Sequence, residues 1–282
     1  MAIVEVTEEH LDRFCEFLCT HQVAGMSKEE LRARLVAHKG IETKPNYGFM
    51  LLSESDEVVG AIGALYAQRQ LDGKQEILCH SAHWFVKPEH RKESMHLLFR
   101  LLGQPGMHFV NLTGAQQLTP ISLALGFKPV DQEKVVLSPL FVMPPWRPWV
   151  RVYTNPQRIA RRLDPDNRKI LDDHVEINQL RHVLIQNGTA SCYCVFLRQK
   201  RKKIPFAVPL YFSNPELFYR YRSHFLWAFF RGTGTPLTLV GTRFVTESAR
   251  LCYRIHDPRP WMFRSPTLRE EHIDGLYSEL TL

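Results

Sequence analysis

No apolar run in this 282-residue chain is long enough and clean enough to cross a bilayer, which takes about 20 residues. The longest apolar stretch, Val135 to Val150, is broken by four prolines and an arginine. Cysteine pairs at metal-ligand spacing are also missing. The six cysteines are Cys15, Cys19, Cys79, Cys192, Cys194 and Cys252; Cys192 and Cys194 would lie on one face of an expected strand, with no second pair at metal-ligand spacing. No metal site is therefore expected. The opening residues, Met1 to Phe14, lack a basic segment followed by an apolar core, so they do not read as a secretion signal. The compartment expected from these absences is the cytoplasm, with the cysteines as free thiols.

Hydrophobic residues make up 44% of the chain and charged residues 23%, proportions of a globular protein with ample core. The net charge of +7 is unevenly placed. Residues 1–142 carry 14 Lys and Arg against 17 Asp and Glu, whereas residues 143–282 carry 22 against 12. Any attraction for polyanions belongs to the second half.

Periodicity and capping signals give an element order. Residues 2–6 read as a strand, and Thr7 opens a helix with Leu11, Phe14, Cys15 and Leu18 on one face. Ser27 and Glu30 form a capping box for a second helix, which stops near Gly40. Strands follow at Tyr47–Leu52, Val58–Ala67 and Glu76–Val86, then a helix at Lys92–Leu102 and a strand at Met107–Asn111. A short helix at Gln117–Leu125 and a strand at Lys134–Val142 complete the first half. Residues 143–150, rich in proline and tryptophan, read as a linker. The second half repeats the middle of this order: a hairpin at Asn187-Gly188, a strand at Ile204–Phe212, a helix opened by Asn214-Pro215, and a strand at Pro236–Val240. The fold class expected is α/β (α+β), with two mixed sheets flanked by helices and domains at 1–142 and 151–282.

The junction after Val86 is basic, with Lys87, His90, Arg91 and Lys92, but holds no glycine before Gly103. A helix N-terminus with free N–H groups suits phosphate. Alone, the turn also reads as a plain strand-to-helix connection with solvated charges.

The order β-α-α-β-β-β-α-β-α-β resembles the GNAT superfamily of acetyl-CoA-dependent acyltransferases. Trp84-Phe85-Val86, Pro88-Glu89-His90-Arg91 and Leu125-Gly126-Phe127 carry the resemblance in detail. It covers residues 2–142 by order and motif and 167–245 by order alone. It implies tandem GNAT-like halves, with acetyl-CoA or another acyl-CoA as co-substrate. In the family the pyrophosphate loop reads Gln/Arg-x-x-Gly-x-Gly/Ala. Carried over by position, Arg91 matches the first residue, while Ser94 and His96 stand where the glycines would be. The resemblance thus implies cofactor contacts from Phe85, Val86, Arg91, Lys92, Ser94, Met95 and His96. The tyrosine that often protonates the leaving thiolate falls at Ser122.

The base that takes the acceptor's proton often lies on the strand Glu76–Val86. His83, His80 and Glu76 are the candidates there. Strict alternation puts His80, Ala82 and Trp84 on one face and Cys79, Ser81, His83 and Phe85 on the other, so only one of the histidines faces the cleft. His83 is preferred, because His80 shares its face with the bulky Trp84. In the second half Pro215 removes an amide donor and Glu216 adds negative charge, so no second acyl-CoA site is expected.

The resulting expectation is an acyltransferase that moves an acetyl or other acyl group from acyl-CoA to an amine or hydroxyl. The acceptor is a small molecule or a saccharide, and nucleic acid is not the expected partner. The alternative is a non-catalytic module of this fold that binds a ligand or a partner.

Overall fold

The structure, a computed structural model, describes residues 1–23, 25–112, 116–130, 133–142, 149–245, 253–256 and 261–278. The chain folds into two compact units. Unit 1 comprises residues 1–130, 261–273 and 277–282; unit 2 comprises residues 131–260 and 274–276. Each holds one seven-stranded mixed sheet with helices against it, as the element order predicts.

Unit 1 begins with β1 (Ala2–Glu5), α1 (Leu11–His21) and α2 (Lys28–Ala37). The capping box forms as expected, with the Ser27 hydroxyl accepting the Glu30 N–H at 3.1 Å. Three antiparallel strands follow: β2 (Gly48–Leu52), β3 (Val58–Leu71) and β4 (Lys74–Val86). A 3₁₀ turn at Pro88–Glu93 leads into α3 (Ser94–Leu102). β5 (Met107–Asn111) lies parallel to β4, and α4 (Thr119–Ala124) and β6 (Lys128–Val130) come after it. The two faces of the sheet are covered differently. Leu11, Phe14, Leu18, Leu31 and Leu35 of α1 and α2 form one core with Met50, Ala61 and Leu65. Leu97, Leu98 and Leu101 of α3 form the other with Ile62, Tyr66, Cys79 and Phe109.

Unit 2 contains β7 (Glu133–Leu137), β8 (Val150–Tyr153), α5 (Pro156–Ala160), α6 (Pro165–His174), β9 (Leu180–Asn187), β10 (Ala190–Arg201) and β11 (Ile204–Phe212). Two helices, α7 (Pro215–Arg220) and α8 (Arg222–Thr233), stand where one helix was expected, divided at Tyr221. β12 (Thr238–Gly241) and β13 (Tyr253–His256) complete the sheet. Phe218, Tyr221, Phe225, Leu226 and Phe229 pack into the core with Val183, Cys194 and Phe196.

The chain passes from unit 1 to unit 2 at residue 131, earlier than the expected boundary at 142. β7 pairs with β12 and β13, and its Val135 and Leu137 belong to the core of unit 2. The last strand, β14 (Trp261–Arg264), returns to unit 1 and pairs between β5 and β6. The partner a strand pairs with is not written in its own period, so the sequence could not assign β7 and β14 to their sheets. Of the expected linker, residues 143–148 lie outside the described residues. Among the described residues no helix is long and apolar enough to cross a membrane, and Cys15, Cys19, Cys79, Cys192 and Cys194 are free.

A buried polar pair in unit 2 links fold to pH. His182 is 7% exposed, and its Nδ1 lies 2.8 Å from the Tyr193 hydroxyl. Burial, with the nearby His174 next in weight, lowers the His182 pKa from 6.5 to about 4. The unfolded chain therefore takes up this proton before the folded chain does. Its contribution to stability is complete above pH 6.5 and is lost as pH falls towards 4, a change of roughly 3 kcal/mol. Denaturant unfolding of unit 2 followed from pH 7.5 to 4 is expected to show this loss, with a shallower slope in His182→Gln. An identical slope in the variant would show that His182 is not held neutral by burial.

Candidate functional site

β4 is one residue too long for its partner. Gly63 of β3 faces Ala82, and Ala61 faces Phe85, so Ile62 stands opposite both His83 and Trp84. This is a β-bulge, and His83 takes the left-handed conformation there, φ +49°. The position opposite Ala82 is tight: a Cβ on Gly63 would come 3.0 Å from the Ala82 carbonyl oxygen. Parallel pairing between β4 and β5 is recorded only from Ile77↔Met107 to His80↔Val110. Beyond that point β4 bulges and runs on without β5.

The opening holds a cavity of about 190 Å³. That is below the roughly 300–1,000 Å³ of pockets that enclose a whole drug-sized ligand, but it suits a slender arm. The β4 residues Ser81, Ala82, His83 and Trp84 line it, with Asn111 at the end of β5. Leu98, Leu101 and Leu102 come from α3, and Leu118, Ile121 and Ser122 from α4 and the turn before it. Phe127 also lines the cavity, and the turn after α4 positions it. The Phe127 N–H donates to Ser122 O at 3.0 Å and the Gly126 N–H to Leu123 O at 2.9 Å, the pattern of a Schellman cap. Gly126, at φ +80°, supplies the left-handed residue the cap requires.

Two consecutive residues of this lining each hold a buried polar atom with no hydrogen-bond partner among the described residues: His83 Nε2 and Trp84 Nε1. Burial also lowers the pKa of His83, which favours the neutral imidazole.

The bulge corrects the face assignment made from strict alternation. Leu65, opposite His80, lies in the core beneath α1 and α2, so His80 points to that face and is 4% exposed. Trp84 and Val86 pack on the α3 face with Cys79, and Phe85 turns to the opposite face. There Phe85 stacks on His21, with ring centroids 5.1 Å apart and planes 7° apart. Neither Phe85 nor Val86 lines the cavity, although both were expected to contact the cofactor. Glu76 sits towards the other end of β4. Its Oε2 lies 2.9 Å from His108 Nε2, and His108 Nδ1 lies 2.8 Å from the Ser265 hydroxyl. Of the three candidate bases, only His83 lines the cavity. Trp84, Asn111 and the α3 leucines were not foreseen, because the cavity is defined by the splay of two strands.

The basic turn has its own geometry. The His90 N–H donates to Lys87 O at 2.9 Å, and the Ser94 N–H donates to Arg91 O. These two amides are consumed within the turn. Arg91 and Lys92 are exposed, and neither side chain forms an ion pair among the described residues. Ser94 and Met95 are half-buried, and Met95 packs against the α3 core. The His96 Nδ1 lies 2.8 Å from Glu93 Oε2. The turn thus presents two free cations, while a carboxylate of the chain itself stands beside the start of α3, where negative charge suits the helix dipole.

In unit 2 a cavity of about 440 Å³ lies beside the corresponding turn, lined by Asn214, Pro215, Glu216, Arg220, Arg243 and Phe244 among others. The Asn214 side chain accepts the Leu217 N–H at 3.0 Å, so this turn caps its own helix.

No protein-family model matches the sequence, and no curated protein sequence matches it. Solved structures do match. One is a GCN5-related N-acetyltransferase from Kribbella flavida, 14% identical, covering 93% of this chain and 70% of that one, with a TM-score of 0.59. Another is a GCN5-related N-acetyltransferase from Anabaena variabilis, 13% identical, covering 93% and 72%, with a TM-score of 0.57. N-myristoyltransferase from Saccharomyces cerevisiae, solved with bound myristoyl-CoA, is 10% identical, covers 93% and 79%, and has a TM-score of 0.50. With its bulged β4 and its two seven-stranded mixed sheets, this protein has the fold of the GCN5-related N-acetyltransferases.

Proposed function

We propose that the protein is an acyltransferase that moves an acetyl or other acyl group from acyl-CoA to an amine or hydroxyl acceptor, a small molecule or a saccharide. The observation that carries this reading is the bulge itself. It holds a histidine in a left-handed conformation at the mouth of a strand splay, with its Nε2 buried and unpartnered. A non-glycine residue held in this conformation costs stability, and such strain collects at functional positions. An acyl-CoA supplies the activated acyl carbonyl. The chain's own residues supply the rest. The cavity between β4, β5, α3 and α4 takes the slender thioester arm and excludes water from it. Arg91 and Lys92 attract the phosphates at the open end of the arm. His83, neutral at physiological pH, accepts the proton of the attacking N–H or O–H. Neutrality matters, because an imidazolium has no lone pair with which to act as a base. The free cysteines favour a reducing compartment, and the cytoplasm is the one proposed.

The Glu93–His96 pair favours a second reading, a non-catalytic module of the same fold. A carboxylate beside the phosphate turn opposes a pyrophosphate, and Ser122 brings no acid to the cavity. Thermal-shift titration with acetyl-CoA and longer acyl-CoAs, followed by a turnover assay, separates the two. A ligand at 100 times its Kd stabilises the fold by about 2.7 kcal/mol. Binding with turnover supports the enzyme, and binding without turnover supports the module.

Two variants test the assignments. Arg91→Glu with Lys92→Glu is expected to weaken acyl-CoA binding at least tenfold without lowering the melting temperature, as both side chains are solvated. Unchanged affinity, read by calorimetry, would place the phosphates elsewhere. His83→Gln is expected to lower kcat by roughly 10²–10⁴-fold while leaving acyl-CoA binding intact. In the unmodified enzyme the rate falls as pH drops through the His83 pKa. Burial puts that pKa below 6.5, so the acidic limb lies below pH 6.5 and disappears in His83→Gln. Full turnover by His83→Gln would remove histidine from the mechanism.

A further inference from the structure

We infer that the indole N–H of Trp84 binds the carbonyl oxygen of the thioester, so that Trp84 and His83 act together as a donor–acceptor pair on the two reacting groups. This inference rests on the acyl-transfer reading above and assigns a residue that the resemblance does not.

The argument begins with two unmade hydrogen bonds. Trp84 Nε1 and His83 Nε2 are both buried, both lack a partner among the described residues, and both residues line the same cavity. A buried polar atom left without a partner is costly, and native proteins rarely tolerate one. Two on consecutive residues of one cavity lining point to a place where a ligand supplies the missing partners.

The chemistry of each atom narrows the ligand. An indole N–H donates and never accepts. Its missing partner must therefore be a lone pair, such as a carbonyl oxygen. A neutral imidazole carries one N–H and one bare nitrogen. Burial keeps His83 neutral, and when Nε2 is the bare nitrogen it accepts a hydrogen. The cavity thus offers a donor and an acceptor one residue apart. A carbonyl being attacked by an N–H or O–H nucleophile has the complementary pair, an oxygen lone pair beside a proton to be removed.

The bulge makes this pairing possible. In an unbroken strand His83 and Trp84 would point to opposite faces. The extra residue lets consecutive side chains reach one cavity. The Trp84 ring is packed against the α3 core with Met95 and Leu102, so its N–H is held in place before any ligand arrives. A donor held in this way stabilises an oxygen more as negative charge develops on it, which acts on kcat rather than on binding.

The test compares the unmodified full chain with two substitutions, Trp84→Phe and Trp84 replaced by β-(3-benzothienyl)alanine. The second keeps the bicyclic shape and exchanges the N–H for sulfur, so it remains informative if the phenylalanine variant folds poorly. The probe is acetyl-CoA labelled with ¹³C at the carbonyl, and the readout is the infrared stretch of that carbonyl in the complex. The unmodified protein is expected to lower this frequency relative to free acetyl-CoA. The benzothienyl protein should lose the shift, and its kcat should fall by roughly 10²-fold with KM for acetyl-CoA nearly unchanged. Saturable binding with the same carbonyl shift and the same kcat in the substituted protein would overturn the role of Trp84 and leave the acyl-transfer reading standing. That result would assign the carbonyl to another donor, or a structural water to the indole. Absence of saturable acetyl-CoA binding by the unmodified protein would overturn both.

Discussion

One additional residue in β4, opposite Ile62, sets the functional architecture of unit 1. A strand that stayed in register with β3 would keep alternating its side chains and give the splay beside β5 no residue of altered direction. The bulge ends that regularity at His83. It turns Phe85 to the face beneath α1, keeps Trp84 with the α3 core, and leaves Ser81, His83 and Trp84 around one opening. Gly63 belongs to the same place, where the strand pair closes tightly around Ala82. Backbone geometry therefore comes before chemistry here, and the imidazole is useful because of where the bulge holds it.

The surroundings are rigid where the site needs them to be. The Schellman cap after α4 aims Phe127 at the cavity through two backbone bonds and one left-handed glycine. The α3 leucines close the floor. At the far end of β4 the His108 ring joins Glu76 to Ser265, and so ties β5 to β4 and to the segment after β14. The polar groups at that end are satisfied by one another. Those at the bulge have no partner among the described residues, and this contrast separates the two ends of β4.

The turn after β4 keeps the strand-to-helix order of the family it resembles without its signature glycines. Glycines would leave amides open to a pyrophosphate. Here a 3₁₀ turn uses two of its amides internally, and His96 pairs with Glu93. In the proposed function, attraction for phosphate falls to side-chain charge, from Arg91 and Lys92, which is longer in reach and less exact in geometry than a cradle of amides. In unit 2 the corresponding turn keeps the strand-to-helix order, yet Asn214 occupies the capping role and Pro215 offers no amide.

Local signals made much of this protein legible from its residues alone. The Ser27–Glu30 capping box, the strands at Met107–Asn111 and Ile204–Phe212, the helix opened by Asn214-Pro215 and the Leu125-Gly126-Phe127 turn are all written in stretches of a few residues. Each depends on backbone preferences that neighbours in sequence decide. That His83, and neither His80 nor Glu76, lines the cavity was not legible in this way, because the alternation used to compare the histidines fails at the bulge. A bulge is a difference in count between two paired strands, so it exists only once β3 and β4 are aligned. The placement of β7 in one sheet and β14 in the other, the Glu93–His96 pair and the unpartnered nitrogens of His83 and Trp84 depend on tertiary structure in the same way. The sequence by itself determined the elements and their order. The tertiary structure decided which strands pair, and with that pairing, which polar atoms are left for a ligand to satisfy.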